Sequence, residues 1–461
     1  MNFRDLRCFV AQLPEDILKE KWSGHFDRAR ALIDRRLEGD IPDVLRTRLK
    51  QERYILDTLE SNYSIPQEDA LQILQDHIPD FTEEEFEELH LSGKVDWIYL
   101  NGKKWYLSNF YKALLKMYPE YWYRALENQG QERKQSHPLI TAAIKDLKHG
   151  DLVKGHVHMK HQVELYPHMV REGEPLRVDI PLPVERQQIK NLQYIAFEPQ
   201  QPTSLPTVDT PQPTATFEVK AEKDQVFSVE YAFDYEAVYH DLANADFDAV
   251  EMGSVPEITH KYLEELWPHI KFTPYLRMLA EELRGDETNL LVIARRIYDY
   301  ITTKVKYRYV RDYKAFETIP ETVALLMCGD CGQQALLFMT LCRICGIPTR
   351  WQSGISLNPN DPGAHDWCQF YIPSIGWVYA DLSLGGAAYR RGDYDLWNFH
   401  FGNLDPYRVP INNEFQVEFD PPKNHWRKDP YDNQMGELEY EDEGIYRVDQ
   451  RKVTLTTIEI Y

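Results

Sequence analysis

From Gln333 to Cys345 the chain contains no Gly, Pro or turn cluster, and its apolar residues suit a buried helix. Gly346-Ile347-Pro348 then supplies the Gly-and-Pro punctuation of a helix C-terminus. This stretch constrains the fold because it lies inside a Cys328-x2-Cys331-x10-Cys342-x2-Cys345 pattern, which on spacing alone resembles a zinc ribbon. A ribbon needs a turn between its cysteine pairs. On one helix, Cys331 and Cys342 stand about 16 Å apart along the axis, whereas each thiolate on one zinc lies about 2.3 Å from the metal. A single tetrahedral site cannot use both pairs, so structural zinc stands only if the helix reading fails. Cys342 and Cys345 then read as small core residues. Cys328 and Cys331 also make a C-x-x-C redox pattern, but that reading needs a strand leading into it, and Thr322–Met327 after Ile319-Pro320 reads as a short helix.

The helix places Cys331 at its N-terminal end. Free backbone amides and the positive end of the dipole there favour a thiolate and offer hydrogen bonds to an oxyanion. Cys328 lies before the Gly329-Asp330 turn and ranks second as nucleophile. Downstream come His365 in Ala-His-Asp-Trp and Asp381 in Gly-Trp-Val-Tyr-Ala-Asp. Thr349–Gly354, Asp366–Ile372 and Trp377–Ala380 read as strands, the last two as a hairpin across Pro373-Ser-Ile-Gly376. His365 begins one strand and Asp381 ends its antiparallel partner, so both fall at one sheet edge. A thiol, a base and an orienting carboxylate in that order suit acyl transfer.

These residues resemble the transglutaminase-like cysteine enzymes, bacterial members included. The shared pattern is a Gly-x-Cys turn, a helix ending in Arg-x-x-Gly-Ile-Pro-x-Arg, then His-x-Trp and Gly-Trp-x-x-x-Asp. Here it reads Gly329-Asp330-Cys331, Arg343 to Arg350, His365-Asp366-Trp367 and Gly376 to Asp381. The resemblance spans about residues 285 to 385 and covers nothing in the N-terminal third. It implies Cys331 as nucleophile, His365 as base and Asp381 as its orienter, with the Cys-bearing helix packed on the sheet that carries the other two. It also implies an α+β fold with a papain-like, transglutaminase-like core.

The expected chemistry is attack of Cys331 on an amide or ester carbonyl to give a thioester. Water then gives a peptidase or amidase, and a primary amine gives transamidation. Hydrolysis is favoured because similar bacterial proteins include proteases and amidases, and nothing marks a lysine tunnel or a calcium site. No cofactor or metal is called for. Taken singly, His365 is equally a structural residue, Asp381 a cap for the next turn, and Asp366 a rival orienter. Their joint spacing favours an active triad over a non-catalytic interaction protein of the same fold. Trp351, Trp367 and Trp377 read as packing aromatics, and Tyr307 or Tyr309 as a further oxyanion donor on which nothing rests.

With 461 residues the chain has room for several domains, and 74 acidic against 52 basic residues give a net charge of −22, which repels nucleic acid. A neutral or basic peptide or protein is the expected substrate; oligomeric state is left open. No stretch is long enough to span a bilayer, the start Met1–Gln12 is too short an apolar run for a signal peptide, and six cysteines make no disulfide framework. A cytoplasmic protein without membrane partners is expected.

Four regions are read: 1–135, helical with a small hairpin; 150–240, a β-sandwich-like domain; 245–405, the catalytic core; and 406–461, a C-terminal β extension. Phe26–Leu37 and Val44–Leu56 read as helices whose mixed charges mark solvated faces. Thr82–Glu85 reads as a capping box, and Asn101-Gly102 as the turn of a hairpin, Val95–Leu100 with Lys103–Leu107. The aromatics Trp97, Trp105, Tyr106, Tyr111, Trp122 and Tyr123 read as core packing. Val157–Leu165, Leu176–Ile180 and Phe227–Phe233 read as strands. His156, His158 and His161 read as solvated strand positions without a second ligand cluster. Pro199–Pro213 and the acidic Glu437–Glu443 read as loops, Glu414–Phe419 and Val453–Ile460 as strands.

Overall fold

Cys331–Ile344 is a helix, and every side chain from Gly332 to Arg343 is buried. In the computed structural model, residues 8–131, 141, 144–145, 152–243, 245, 254–357, 362–425, 427, 432–445 and 450–461 are described. Residues 1–7 of the chain start, and the expected boundaries at 135 and 150, lie outside them.

The helix is buried all round because two layers enclose it. On one side lies a five-stranded antiparallel sheet in the order Phe401–Gly402, Gly376–Ala380, Gly363–Ile372, Thr349–Ser356, Arg408–Asn412. On the other lie the helices Pro274–Arg284, Leu290–Lys304 and Ile319–Leu326, which share its apolar cluster. Leu336, Leu337, Phe338 and Leu341 are completely buried there, each contributing about 1.5–3 kcal/mol. Cys342 joins the same cluster. Gly346 ends the helix at φ 84°, with Ile347 N–H donating to the Cys342 carbonyl at 2.9 Å. The two cysteine pairs therefore sit at opposite ends of one helix. Met327, in the left-handed region at φ 54°, ends Ile319–Leu326 just before Cys328, so the segment ahead of the C-x-x-C is helical as read.

The N-terminal region stacks Glu15–Trp22, Phe26–Leu37, Asp43–Asn62, Gln67–His77 and Glu83–Leu91 around a buried cluster that includes Ile17, Leu56, Leu74 and Leu89. Thr82 Oγ1 accepts the Glu85 N–H at 3.1 Å, which is the N-cap half of the capping box, while the Glu85 carboxylate accepts from Arg124. The hairpin pairs Trp97–Leu100 with Lys103–Tyr106 through Asn101 and Gly102, both at positive φ. Ile65–Pro66 adds a third strand. Tyr106 is fully buried, Trp97, Trp105, Tyr111 and Trp122 pack on the cluster, and Tyr123 is exposed. The solvated-face reading fails on Asp43–Asn62: Arg48 and Glu52 are 3% and 0% exposed, with Arg48 donating to Glu52 at 2.8 Å and Lys21 2.7 Å from the same carboxylate. One pair closes within the helix and Lys21 adds a cation from a neighbouring helix, so mixed charge along the sequence does not by itself mark a solvated face.

Two further four-stranded sheets are antiparallel. One runs Arg451–Ile460, Leu152–Leu165, Val226–Val238, Ile189–Glu198; the other runs Gly444–Ile445, Glu437–Tyr440, Pro175–Pro181, Thr214–Lys220. Their apolar faces feed one buried cluster. Both contain strands from the C-terminal end of the chain, and the final strand pairs with Leu152–Leu165. Pro199–Pro213 is a loop between strands, tied by a Ser204–Thr216 bridge.

Three expectations are corrected. Glu437–Glu443 is not simply a loop: Glu437–Tyr440 is a strand, with Glu437 neutralised by Lys423 at 2.8 Å and Glu439 accepting the Asn424 and His425 N–H groups at 3.0 Å. Glu414–Phe419 is not a strand; the strand lies just before it, at Arg408–Asn412. Among the histidines, His156 and His158 pair with Asp234 and Glu230 at 2.8 and 2.9 Å, but His161 is completely buried and burial pushes its ring down to about 3.

Glu52→Ala strands two buried cations and is expected to cost about 3–5 kcal/mol, whereas Glu15→Ala, in an exposed pair with Lys19, is expected to cost under about 0.5 kcal/mol. Urea midpoints of the two variants check this.

Candidate functional site

Cys331 is the first residue of its helix, and Asp330 caps it: one carboxylate oxygen accepts the Gln333 N–H at 3.0 Å and the Tyr313 hydroxyl. Gln334 Nε2 donates to the Gly329 carbonyl at 2.9 Å, fixing the turn. Gly329 also pairs with Tyr307 in a short parallel ladder. At Gly332 a Cβ would stand 2.3 Å from the Tyr313 hydroxyl, 2.5 Å from Asp366 Oδ2 and 3.0 Å from the Trp351 ring. Only glycine lets these three groups close over the first turn, a role the sequence pattern does not announce.

His365 is the third residue of Gly363–Ile372, and Asp381 directly follows Gly376–Ala380, opposite it in the same sheet. His365 Nε2 lies 2.8 Å from Asp381 Oδ2. Nδ1 is thus the ring nitrogen not engaged by the carboxylate. Asp381 is wholly buried and also caps the following helix, its other oxygen accepting the Leu384 N–H at 3.0 Å. One carboxylate thus both meets the His365 ring and caps the next helix.

Arg408, in a strand that sequence reasoning passed over, is completely buried and places Nη2 2.8 Å from Asp381 Oδ2 and 2.7 Å from Asp405 Oδ2. Burial alone would raise the Asp381 carboxyl, but the His365 and Arg408 charges hold it well below the usual carboxylate range. His400, buried beside them, is pushed down to about 4 by burial. No motif marks Arg408; only its pairing beside Thr349–Ser356 brings it to Asp381.

Asp366, the rival to Asp381 in the sequence, sits against the thiol. Its Oδ2 accepts the Cys331 S–H at 3.5 Å, and its Oδ1 accepts Gln434 Nε2 at 2.8 Å. Gln434 also donates to the carbonyls of His365 at 2.9 Å and Gly354 at 3.1 Å, clamping the strand edge. Burial, with the Asp366 and Asp330 carboxylates, pushes the Cys331 thiol well above its ordinary range. Among the described residues the thiol's hydrogen bond goes to Asp366 and not to His365. The structure joins His365 to Asp381 directly and sets Cys331 against the neighbour of His365.

The other candidates fall around this centre. Cys328 Sγ faces Arg308 Nη1 at 3.7 Å. Tyr307 is half-buried, and its hydroxyl is raised by desolvation and by the nearby Cys331 and Asp330. Tyr309 packs edge-on against it. Trp351 and Trp367 are core residues, their indole N–H groups donating to Asp432 at 3.3 Å and Gln352 at 2.7 Å. Among the described residues, no group of three His, Cys, Asp or Glu side chains is placed to hold a metal.

Residues 277–382 match the model of the transglutaminase-like superfamily. Among solved structures, a candidate cysteine protease from Cytophaga hutchinsonii is similar at 17% identity and TM-score 0.43, over 67% of this chain and 92% of that one. The periplasmic domain of TgpA from Pseudomonas aeruginosa is similar at 15% identity and TM-score 0.28, over 55% of this chain and 95% of that one. No curated protein matches the sequence. No helix among the described residues is long and apolar enough to cross a membrane. Arg408 and Gln434 lie outside the segment that matches the transglutaminase-like superfamily, and Cys331, His365 and Asp381 lie inside it.

Proposed function

We propose that the chain is a cysteine peptidase or amidase in which Cys331, His365 and Asp381 act as a triad. The observation that carries this reading is the His365 Nε2 to Asp381 contact at 2.8 Å, made by a buried carboxylate at the sheet edge beside the N-terminus of the Cys331 helix. In this reading His365 Nδ1 takes the thiol proton and Sγ attacks the amide carbonyl. The helix N–H groups receive the oxyanion. The imidazolium returns the proton to the leaving amine, and water, deprotonated by the same ring, hydrolyses the thioester. Residues 245–405 with the strand Arg408–Asn412 form the catalytic unit, the two four-stranded sheets a sandwich, and residues 1–135 a helical flank.

The charges behind the ring suit this cycle. Asp381 and Asp405 carry two negative charges against one on Arg408, all three buried. The net negative charge left over is balanced only when His365 becomes imidazolium, so the pair stabilises the cation formed in the transition state. Cys328, Cys331, Cys342, Cys345 and Cys368 are free thiols, which suits a reducing compartment such as the cytoplasm.

A peptide-library cleavage screen tests the activity. Turnover is expected to vanish in Cys331→Ala and His365→Ala, and to fall about 10³–10⁴-fold in Asp381→Asn, which keeps the shape but loses the charge. Turnover surviving in Cys331→Ala ends the proposal. Peptide cleavage with and without a primary amine separates hydrolysis from transamidation: under this reading the free acid remains the main product.

Arg408→Gln leaves the buried Asp381 and Asp405 carboxylates without the cation between them and is expected to cost about 3–5 kcal/mol of stability. Urea midpoints read this; an unchanged midpoint contradicts it.

A further inference from the structure

The thiol of Cys331 donates to Asp366 Oδ2 at 3.5 Å, and that carboxylate is fixed on its other oxygen by Gln434 at 2.8 Å. Gln434 is itself anchored to the backbone carbonyls of His365 and Gly354 on two adjacent strands, so the group that holds Asp366 is fixed and Asp366 moves away only by breaking its bond to it. The absence of a side chain at Gly332 leaves Asp366 Oδ2 directly over the first turn of the nucleophile's helix. A fixed carboxylate touching a thiol disfavours the thiolate by like-charge repulsion, which opposes what the helix N-terminus does. For a nucleophile this placement is costly unless something bound at the site cancels the charge. A cationic group that reaches Asp366 Oδ2 does so, and it necessarily sits next to Sγ.

We propose that Asp366 is a specificity-determining residue that selects acyl substrates bearing an ammonium or guanidinium group close to the scissile carbonyl, and that it holds Cys331 as the thiol until such a group arrives. This deepens the reading of Cys331 as nucleophile and rests on it. The substrate cation takes over Asp366 Oδ2 as hydrogen-bond donor. The S–H bond then breaks, its proton passes to His365 Nδ1, and the electron pair stays on Sγ as the thiolate that attacks. No redox partner is needed and the charges balance: the cation neutralises Asp366, and the imidazolium accompanies the thiolate. An anionic or neutral substrate gains nothing from Asp366 and meets a protonated nucleophile.

Alkylation of the full-length protein at one pH by three small reagents tests this: 2-bromoethylamine (cationic), iodoacetamide (neutral) and iodoacetate (anionic), with rates at Cys331 followed by mass spectrometry and each divided by its rate with glutathione. In the native protein the normalised rate is expected to be at least roughly tenfold higher for the cationic than for the anionic reagent, the scale of one charge contact near a protein surface. Asp366→Asn is expected to bring the ratio close to one and to speed iodoacetamide several-fold. Asp366→Glu is expected to retain the cationic preference and keeps the test open should the asparagine variant fold poorly. Equal normalised rates in the native protein, or an undiminished preference in Asp366→Asn, overturn the selection while leaving Cys331 as nucleophile. Failure of Cys331 to react with any reagent faster than an ordinary exposed thiol overturns the nucleophile reading itself.

Discussion

The buried charge of Asp381 is the constraint on which the site depends. A carboxylate with no solvent exposure costs several kcal/mol to desolvate, and it persists only if its oxygens are fully engaged. Three separate parts of the chain meet that demand: the His365 ring, the Arg408 guanidinium and the Leu384 N–H. They come from one strand, from the strand at the far edge of the sheet and from the helix after the hairpin. Moving any one of them exposes or strands the charge, so sheet register and ring orientation are fixed by one interaction. The ring's tautomer follows from the same contact, as Nε2 is committed to the carboxylate.

Around the thiol two opposing fields meet. The helix start offers roughly half a positive charge and unpaired amides, worth about 0.3–1 kcal/mol at an exposed end and up to ~2 kcal/mol when partly buried. Against it stand the full charges of Asp366 in contact with Sγ and Asp330 at the cap, together with the burial of the thiol. A full charge in contact outweighs half a charge spread over a turn, and the thiol is accordingly held protonated. The same Asp330 that weakens the thiolate is needed to cap the helix and anchor Tyr313. The geometry that places Cys331 at the helix start therefore also disfavours its thiolate.

How much of this was legible follows the range of each interaction. The Cys331 helix, its Gly346-Ile347-Pro348 end and the hairpin bearing His365 and Asp381 are set by neighbours along the chain, and their periodicity and punctuation show it. The Asn101-Gly102 hairpin and the Thr82 cap were readable for the same reason. Arg408, Gln434, Asp432 and Glu437 were not, because each acts through a partner in another element, Asp381, Asp366, Ser353 and Lys423 respectively, 14 or more residues away. Glu437 is instructive: it begins an acidic stretch that looks solvated, and the buried cations Lys423 and Arg427 beside it make a strand tolerable there. Asp366 was readable as a candidate partner of His365 but not as the partner of Cys331, since adjacent strand residues point to opposite faces and the sequence does not say which face the thiol meets.

The N-terminal region enters the site through one segment. Tyr307 to Tyr313 runs beside the nucleophile: Tyr307 pairs with Gly329, and the Tyr313 hydroxyl donates to Asp330. The outer side of that segment is held by N-terminal residues. Lys116 donates to the Tyr309 hydroxyl at 3.0 Å and lies 5.0 Å from the Tyr307 ring centroid, Arg308 meets Asp96 at 3.2 Å, and Arg311 donates to the Tyr63 hydroxyl at 3.4 Å. Asn62 Oδ1 accepts the Asp312 N–H at 2.9 Å. These contacts come from the end of one long helix, the entry to the hairpin and a further helix, so the whole cluster around Leu56 and Tyr106 backs a single irregular stretch. Such a stretch has few backbone bonds of its own and would otherwise be free to move. Its rigidity, and with it the position of Asp330 and Tyr313 over the helix start, is thus borrowed from a region that lies outside the segment matching the transglutaminase-like superfamily.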